Sequence, residues 1–132
     1  MANNKKSAKD KKIVKQYMEL LYMTPKEITA KDIAEVLKEN EGAVVELWES
    51  MNVVEMEIPD GGTADFEPMK AEFKDPSDMA FVKNREIQTI FAVTVCEDDF
   101  EEISLYLKDV VEQLGGFICA DSEDFKPFYV GR

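Results

Sequence analysis

A chain of 132 residues with a formal net charge of −12 and no histidine is long enough for one domain and unsuited to several classes of function. The lack of histidine excludes Ser–His and Cys–His nucleophile pairs and histidine-containing zinc sites. The acidic excess opposes binding to DNA, RNA and anionic lipid, and no apolar run approaches the roughly 20 residues that cross a bilayer. We therefore predict a cytoplasmic protein that is not an enzyme, uses no cofactor or metal and binds no membrane.

The charge is distributed in two opposed blocks. Residues 1–16 carry a net charge of +5 and residues 17–132 one of −17, which together give −12. We expect residues 1–10 to form a disordered basic arm, and the acidic remainder to attract basic protein surfaces. The basic block is either a solubilising tail or a contact for nucleic acid or an acidic partner. Its lysines are Lys5, Lys6, Lys9, Lys11, Lys12 and Lys15.

Apolar residues at helical spacing predict three helices in the first 52 residues. The first runs over 10–23, with its apolar face formed by Ile13, Val14, Tyr17, Met18 and Leu21. Thr29 and Asp32 resemble a capping box, which predicts a second helix that ends near Glu39. A third, shorter helix is predicted from the apolar residues Val44, Val45, Leu47, Trp48 and Met51.

The remaining sequence favours strands. Alternation predicts strands at 54–58 and 65–73, the second at a sheet edge because of Pro68, and a central strand at 86–95. Asp75 before Pro76 predicts a short helix over 76–83. A longer helix is expected from Asp98 to the Gly115-Gly116 pair, followed by strands at 117–120 and 128–130. The strand–helix–strand unit over 86–120 is typical of a crossover between parallel strands.

Two groups of side chains offer chemistry that the sequence leaves open. Cys96 and Cys119 fit no metal or redox spacing, so we expect buried free thiols. If the strands of the crossover are parallel, six carboxylates leave the sheet at one end and could hold Mg²⁺ or Ca²⁺. The alternative is that they begin a helix and form a solvated loop. These carboxylates are Glu97, Asp98, Asp99, Asp121, Glu123 and Asp124.

The segment Thr29-Ala30-Lys31-Asp32-Ile33-Ala34-Glu35-Val36-Leu37 resembles the first helix of a helix-turn-helix protein, and residues 29–58 could include a wing. The resemblance implies that the following helix lies in the major groove of DNA and presents basic or amide side chains to the bases. Residues 41–51 contain glutamates and no basic residue, so we expect this helix to bind protein instead. A nucleic-acid-associated regulator that uses the N-terminal lysines is the alternative.

These expectations combine into one prediction of fold and function. The fold is α+β, with an N-terminal three-helix, helix-turn-helix-like segment (11–52) packed on a small mixed sheet (53–132) that contains the strand–helix–strand unit. The function is a regulator, inhibitor or adaptor that docks on a basic protein, with nucleic-acid mimicry as one form of it. A homodimer through the strand at 65–73 or through the first helix is a further possibility. The predicted partner-binding residues are Glu41, Glu46, Trp48, Glu49, Glu55 and Glu57.

Overall fold

The computed structural model describes residues 16–131, apart from the side chain of Glu123, and arranges them as a seven-stranded sheet with three α-helices. The strands are β1 (Tyr17–Thr24), β2 (Val44–Trp48), β3 (Val53–Glu57), β4 (Thr63–Met69), β5 (Thr89–Cys96), β6 (Phe117–Ala120) and β7 (Phe128–Val130). The helices are α1 (Ala30–Leu37), α2 (Pro76–Asn84) and α3 (Phe100–Leu114). The strand order is β2-β3-β4-β5-β1-β6-β7, and every neighbouring pair is antiparallel.

The two faces of the sheet are covered differently. Helices α1 and α3 pack on one face, over a core that includes Tyr22, Phe66, Phe91 and Val93. Helix α2 and the segments near the C-terminus cover part of the other face, over a smaller core built from the residues Leu21, Met23, Val82, Ile90, Phe117, Cys119 and Phe125. Because successive residues of a strand point to opposite faces, β1 contributes to both cores.

Three of the predicted helix signals are confirmed. The Thr29 backbone N–H donates to the Asp32 carboxylate at 2.9 Å at the start of α1. At α2, the hydroxyl (2.7 Å) and backbone N–H (2.8 Å) of Ser77 donate to Asp75, and these bonds hold the pKa of Asp75 below its usual value. Helix α3 ends at Gly115, whose φ of +79° favours glycine. Its start differs from the prediction, because a 3₁₀ turn over Glu97–Asp99 precedes Phe100.

The predicted helix over 10–23 is wrong in its described part, which is strand β1. Residues Leu20, Leu21, Tyr22 and Met23 are all buried because the sheet is covered on both sides at β1. A strand buried on both faces shows no alternation, so its apolar run also fits helical spacing. Residues 1–15, including the predicted basic arm and the lysines assigned to it, lie outside the described residues.

The predicted third helix is also wrong, because Val44–Trp48 form strand β2. Val45 and Leu47 point toward α1 and are half-buried, whereas Val44, Glu46 and Trp48 are exposed on the other face. Apolar residues on both faces hide the alternation. The fold class is thus corrected: it is α+β, but the helices follow the first strand, and there is no N-terminal three-helix segment among residues 16–52.

The predicted sheet needs two further corrections. Strand β4 is not an edge, since it lies between β3 and β5. The pairing with β3 ends at Phe66, so the missing N–H of Pro68 removes no bond to β3. Strand β4 therefore provides no edge, and β1 no helix, for the homodimer that the sequence suggests. The sheet is antiparallel rather than mixed, although β5 and β6 run parallel to each other with β1 between them.

The strands predicted at 54–58 and 86–95 are confirmed with shifted ends, as β3 and β5, and β5 is the central strand. The strands predicted at 117–120 and 128–130 are confirmed as β6 and β7. Both cysteines are buried free thiols, as expected. Burial raises the pKa of Cys119 to about 12, with a smaller contribution from Asp121. Among residues 16–131, no helix has the length and apolar character needed to cross a membrane.

Candidate protein-binding face

One end of the sheet has a face that no described helix covers. On β2, β3 and β4, the side chains pointing toward α1 are apolar, and the fully buried ones include Val54, Met56, Ala64 and Phe66. The alternate side chains point away from α1 and are exposed or half-buried. We call this surface the open face, formed by Val44, Glu46, Trp48, Val53, Glu55, Glu57, Thr63, Asp65 and Glu67.

Acidic side chains lie next to one another across the open face. Glu46 is directly opposite Glu55, and Glu55 is directly opposite Asp65. Directly opposed residues of an antiparallel pair have Cβ atoms about 5 Å apart, at which like charges repel. The row continues through Thr94 on β5 to Glu19 on β1. None of the side chains of the open face is basic, so this repulsion is not balanced from within it.

Full ionisation of the carboxyl groups at the centre of the row is electrostatically unfavourable. The pKa of Glu55 is raised, first by partial burial and then by the charge of Asp65, a hydrogen bond with Asp65 and the charges of Glu46 and Glu57. A hydrogen bond between two carboxyl groups requires a proton on one of them. A positive charge placed over this row would therefore stabilise the ionised form.

Apolar side chains border the acidic row on the strand at the edge of the sheet. Val44 is 60% exposed and Trp48 is 41% exposed, and both flank Glu46 on β2. Met51, in the 3₁₀ turn that follows β2, is 61% exposed. Exposed apolar groups beside charged ones are the usual composition of a protein-binding surface.

The structure brings together four of the six predicted partner-binding residues. Glu46, Trp48, Glu55 and Glu57 share the open face, although Glu46 and Trp48 lie in a strand and not in the predicted third helix. Glu41 lies instead in the turn between α1 and β2, and Glu49 in the 3₁₀ turn after β2.

Sequence reasoning missed the acids of β4. Asp65 and Glu67 alternate with the buried Ala64 and Phe66, so the period of two marks their face. The position of Asp65 opposite Glu55 depends on the β3–β4 register, which this alternation does not specify.

No metal site is assembled by the other carboxylates whose side chains the structure describes. Glu97, Asp98 and Asp99 form the turn before α3, and β5 and β6 do direct them and Asp121 toward the same end of the sheet. Within the described part of the chain, however, no group of three or more acidic, cysteine or histidine side chains is arranged to hold a metal ion. A hydrogen bond with Asp60 raises the pKa of Glu102, another acid near this turn.

The surface cavities of the described residues differ in the groups that border them. A cavity of about 440 Å³ beside α3 is bordered by three carboxylates, Glu102, Asp109 and Glu112. One of about 470 Å³ is bordered by Arg85, Lys126, Pro127 and Phe128, which include two cations and no general base. Another of about 380 Å³ lies between α3 and β7, where Leu105 and Tyr129 border it with Lys108 and Glu112. The open face differs from these cavities because it combines a cross-strand acidic row with exposed apolar side chains. Comparisons with protein-family models, with curated proteins and with solved structures find no match to this chain.

Proposed function

We propose that this protein is a non-enzymatic interaction module that binds a basic protein surface through the open face. The observation that carries the proposal is the cross-strand row of the exposed Glu46 and the half-buried Glu55 and Asp65, which lies beside the exposed Trp48 and Val44. Lysine or arginine from a partner would relieve the repulsion within this row, and the flanking apolar side chains would be buried in the same contact.

The role as a regulator, inhibitor or adaptor follows from this binding mode. A cytoplasmic location suits the buried free thiols Cys96 and Cys119, since reducing compartments keep thiols reduced. The cytoplasmic location is part of the same proposal.

The test uses Trp48, the single tryptophan of the chain, as a fluorescent reporter at the border of the open face. A lysine- and arginine-rich peptide is titrated onto the full chain and onto the triple variant Glu46→Gln, Glu55→Gln, Asp65→Asn. We expect the variant to bind at least about tenfold more weakly, since three charge contacts of about 0.5 kcal/mol each amount to that factor.

A matched control separates the open face from the overall charge. The variant Glu35→Gln, Glu101→Gln, Glu112→Gln loses the same three charges from exposed positions on α1 and α3, on the other side of the sheet. It should bind the peptide nearly as well as the unmodified chain. Equal weakening of both variants would show that net charge alone attracts the peptide, and would refute the proposal.

The alternative function, binding of nucleic acid, requires different residues. It depends on Lys5, Lys6, Lys9, Lys11, Lys12 and Lys15, which lie outside the described residues. A labelled DNA duplex should then bind the full chain, lose affinity steeply with salt, and fail to bind a chain lacking residues 1–15. Failure of the duplex to bind at low salt would leave the open face as the proposed site of interaction.

A further inference from the structure

Strand β2 is one of the two ends of the sheet, and its outer edge pairs with no strand among residues 16–131. Such an edge presents a row of backbone N–H and C=O groups that can pair with another chain. Proteins commonly protect an edge with lysine, proline or a bulge. Val44–Trp48 contains neither lysine nor proline, and it pairs with β3 in continuous register.

The opposite end of the sheet is less suited to pairing. Strand β7 has only three residues, Phe128–Val130. Its register with β6 shifts between Ile118 and Cys119, which marks a local irregularity. Short and irregular edges discourage added strands. The two ends thus differ, and β2 is the regular one.

The side chains of β2 define what an added strand must carry. A residue opposite Glu46 would extend the acidic row by one position, so a lysine or arginine is favoured there. Residues two positions before and after it would lie opposite Val44 and Trp48 on the same face, where apolar side chains are favoured. A second copy of β2 fits poorly, because the full antiparallel pairing of two copies places Glu46 opposite Glu46.

We propose that β2 accepts an extended segment of a basic partner protein as an eighth strand of the sheet, with a lysine or arginine opposite Glu46 and apolar residues opposite Val44 and Trp48. This inference rests on the proposed function and specifies how the partner binds. Backbone hydrogen bonds to β2 supply affinity, and the alternate side chains supply specificity.

The test uses the full chain and a short peptide with valine, lysine and valine at alternate positions, separated by threonine. Trp48 fluorescence reports binding. Two further peptides carry N-methyl groups on alternate backbone amides, one set on the lysine and valine residues and the other on the threonines. In an added strand, the backbone N–H groups of only one of these two sets donate hydrogen bonds to β2. Methylation of that set should therefore weaken binding at least about tenfold, and methylation of the other set should leave the affinity nearly unchanged.

A separate control tests the preference for a basic side chain opposite Glu46. Replacing the peptide lysine by glutamate should abolish binding to the unmodified chain, and Glu46→Lys in the protein should restore it. Glu46→Lys removes one carboxylate from a repelling row, so the variant is expected to fold. Its thermal unfolding, measured alongside, verifies this.

Each unfavourable outcome has a distinct meaning. Equal binding of both methylated peptides, or no binding of the valine–lysine peptide, overturns strand addition. The proposed function survives either result if the lysine- and arginine-rich peptide still depends on the open face. Dimerisation of the chain through β2 would assign the edge to a second copy and also overturn the inference. Loss of open-face dependence for the basic peptide overturns the proposed function itself.

Discussion

The phenol of Tyr22 on β1 donates a hydrogen bond of 2.7 Å to the carbonyl oxygen of Gly115, which ends α3. The Thr24 hydroxyl, two residues later on the same face, donates to the carbonyl oxygen of Leu114 at 2.9 Å. The last carbonyl groups of a helix have no partner within it. Two side chains about 90 positions earlier in the sequence therefore complete the C-terminus of α3 and attach it to the sheet.

Removing the Tyr22 hydroxyl should destabilise the protein measurably. We expect Tyr22→Phe to lower the free energy of unfolding by about 1–3 kcal/mol, since it leaves a carbonyl at the end of α3 without its donor. Urea denaturation gives this value. Tyr129→Phe, at a more exposed tyrosine, is the control and should change it by less than about 0.5 kcal/mol. Equal effects of the two substitutions would contradict the assigned role of Tyr22.

Two glycines with positive φ should respond differently to alanine. A Cβ on Gly116 (φ +84°) would collide with the carbonyl oxygen of Met23, whereas a Cβ on Gly61 (φ +95°) has nothing within 4 Å. Both substitutions carry the backbone strain of about 1–2 kcal/mol. Gly116→Ala should cost roughly 1–3 kcal/mol more, through overpacking. Thermal unfolding of both variants tests this, and equal losses would rule out the close approach of β1 to Gly116.

The raised pKa of Glu55 predicts a specific pH dependence. The folded protein holds this proton more tightly than the unfolded chain, so stability falls as pH rises from the ordinary glutamic acid range through the raised value. Glu55→Gln removes that contribution, and its stability should decline less between acidic and neutral pH. Urea midpoints over this range measure the slope, with Glu112→Gln as the control for loss of one charge. Parallel profiles for Glu55→Gln and the unmodified chain would count against repulsion in the row.

Helix α3 contains a matched pair of leucines. Leu107 is fully buried between α3 and the sheet, while Leu105 is 62% exposed. Leu107→Ala should lower the free energy of unfolding by about 2–5 kcal/mol through lost burial and a residual cavity. Leu105→Ala should change it by less than about 0.5 kcal/mol. Chemical denaturation compares the two, and a large loss at Leu105 would mean that another surface covers it.

Local signals in the sequence were sufficient for several elements. Asp75 before Pro76 marks α2, Thr29 with Asp32 marks α1, and Gly115 marks the end of α3. These signals are reliable because capping and left-handed backbone conformations depend on neighbouring residues only. The alternation over β3 and β5 is equally local, so both strands were predicted with small errors in their ends.

The sequence alone determined the composition of the candidate site but not its assembly. It showed an acidic chain with glutamates around a single tryptophan, and it excluded histidine chemistry. Only the tertiary structure decided that Val44–Trp48 is an edge strand and that Glu46, Glu55 and Asp65 lie side by side. The reason is that strand pairing and burial on both faces depend on distant parts of the chain: β1 loses its alternation because helices cover both sides, and the acidic row exists only in the register of three paired strands.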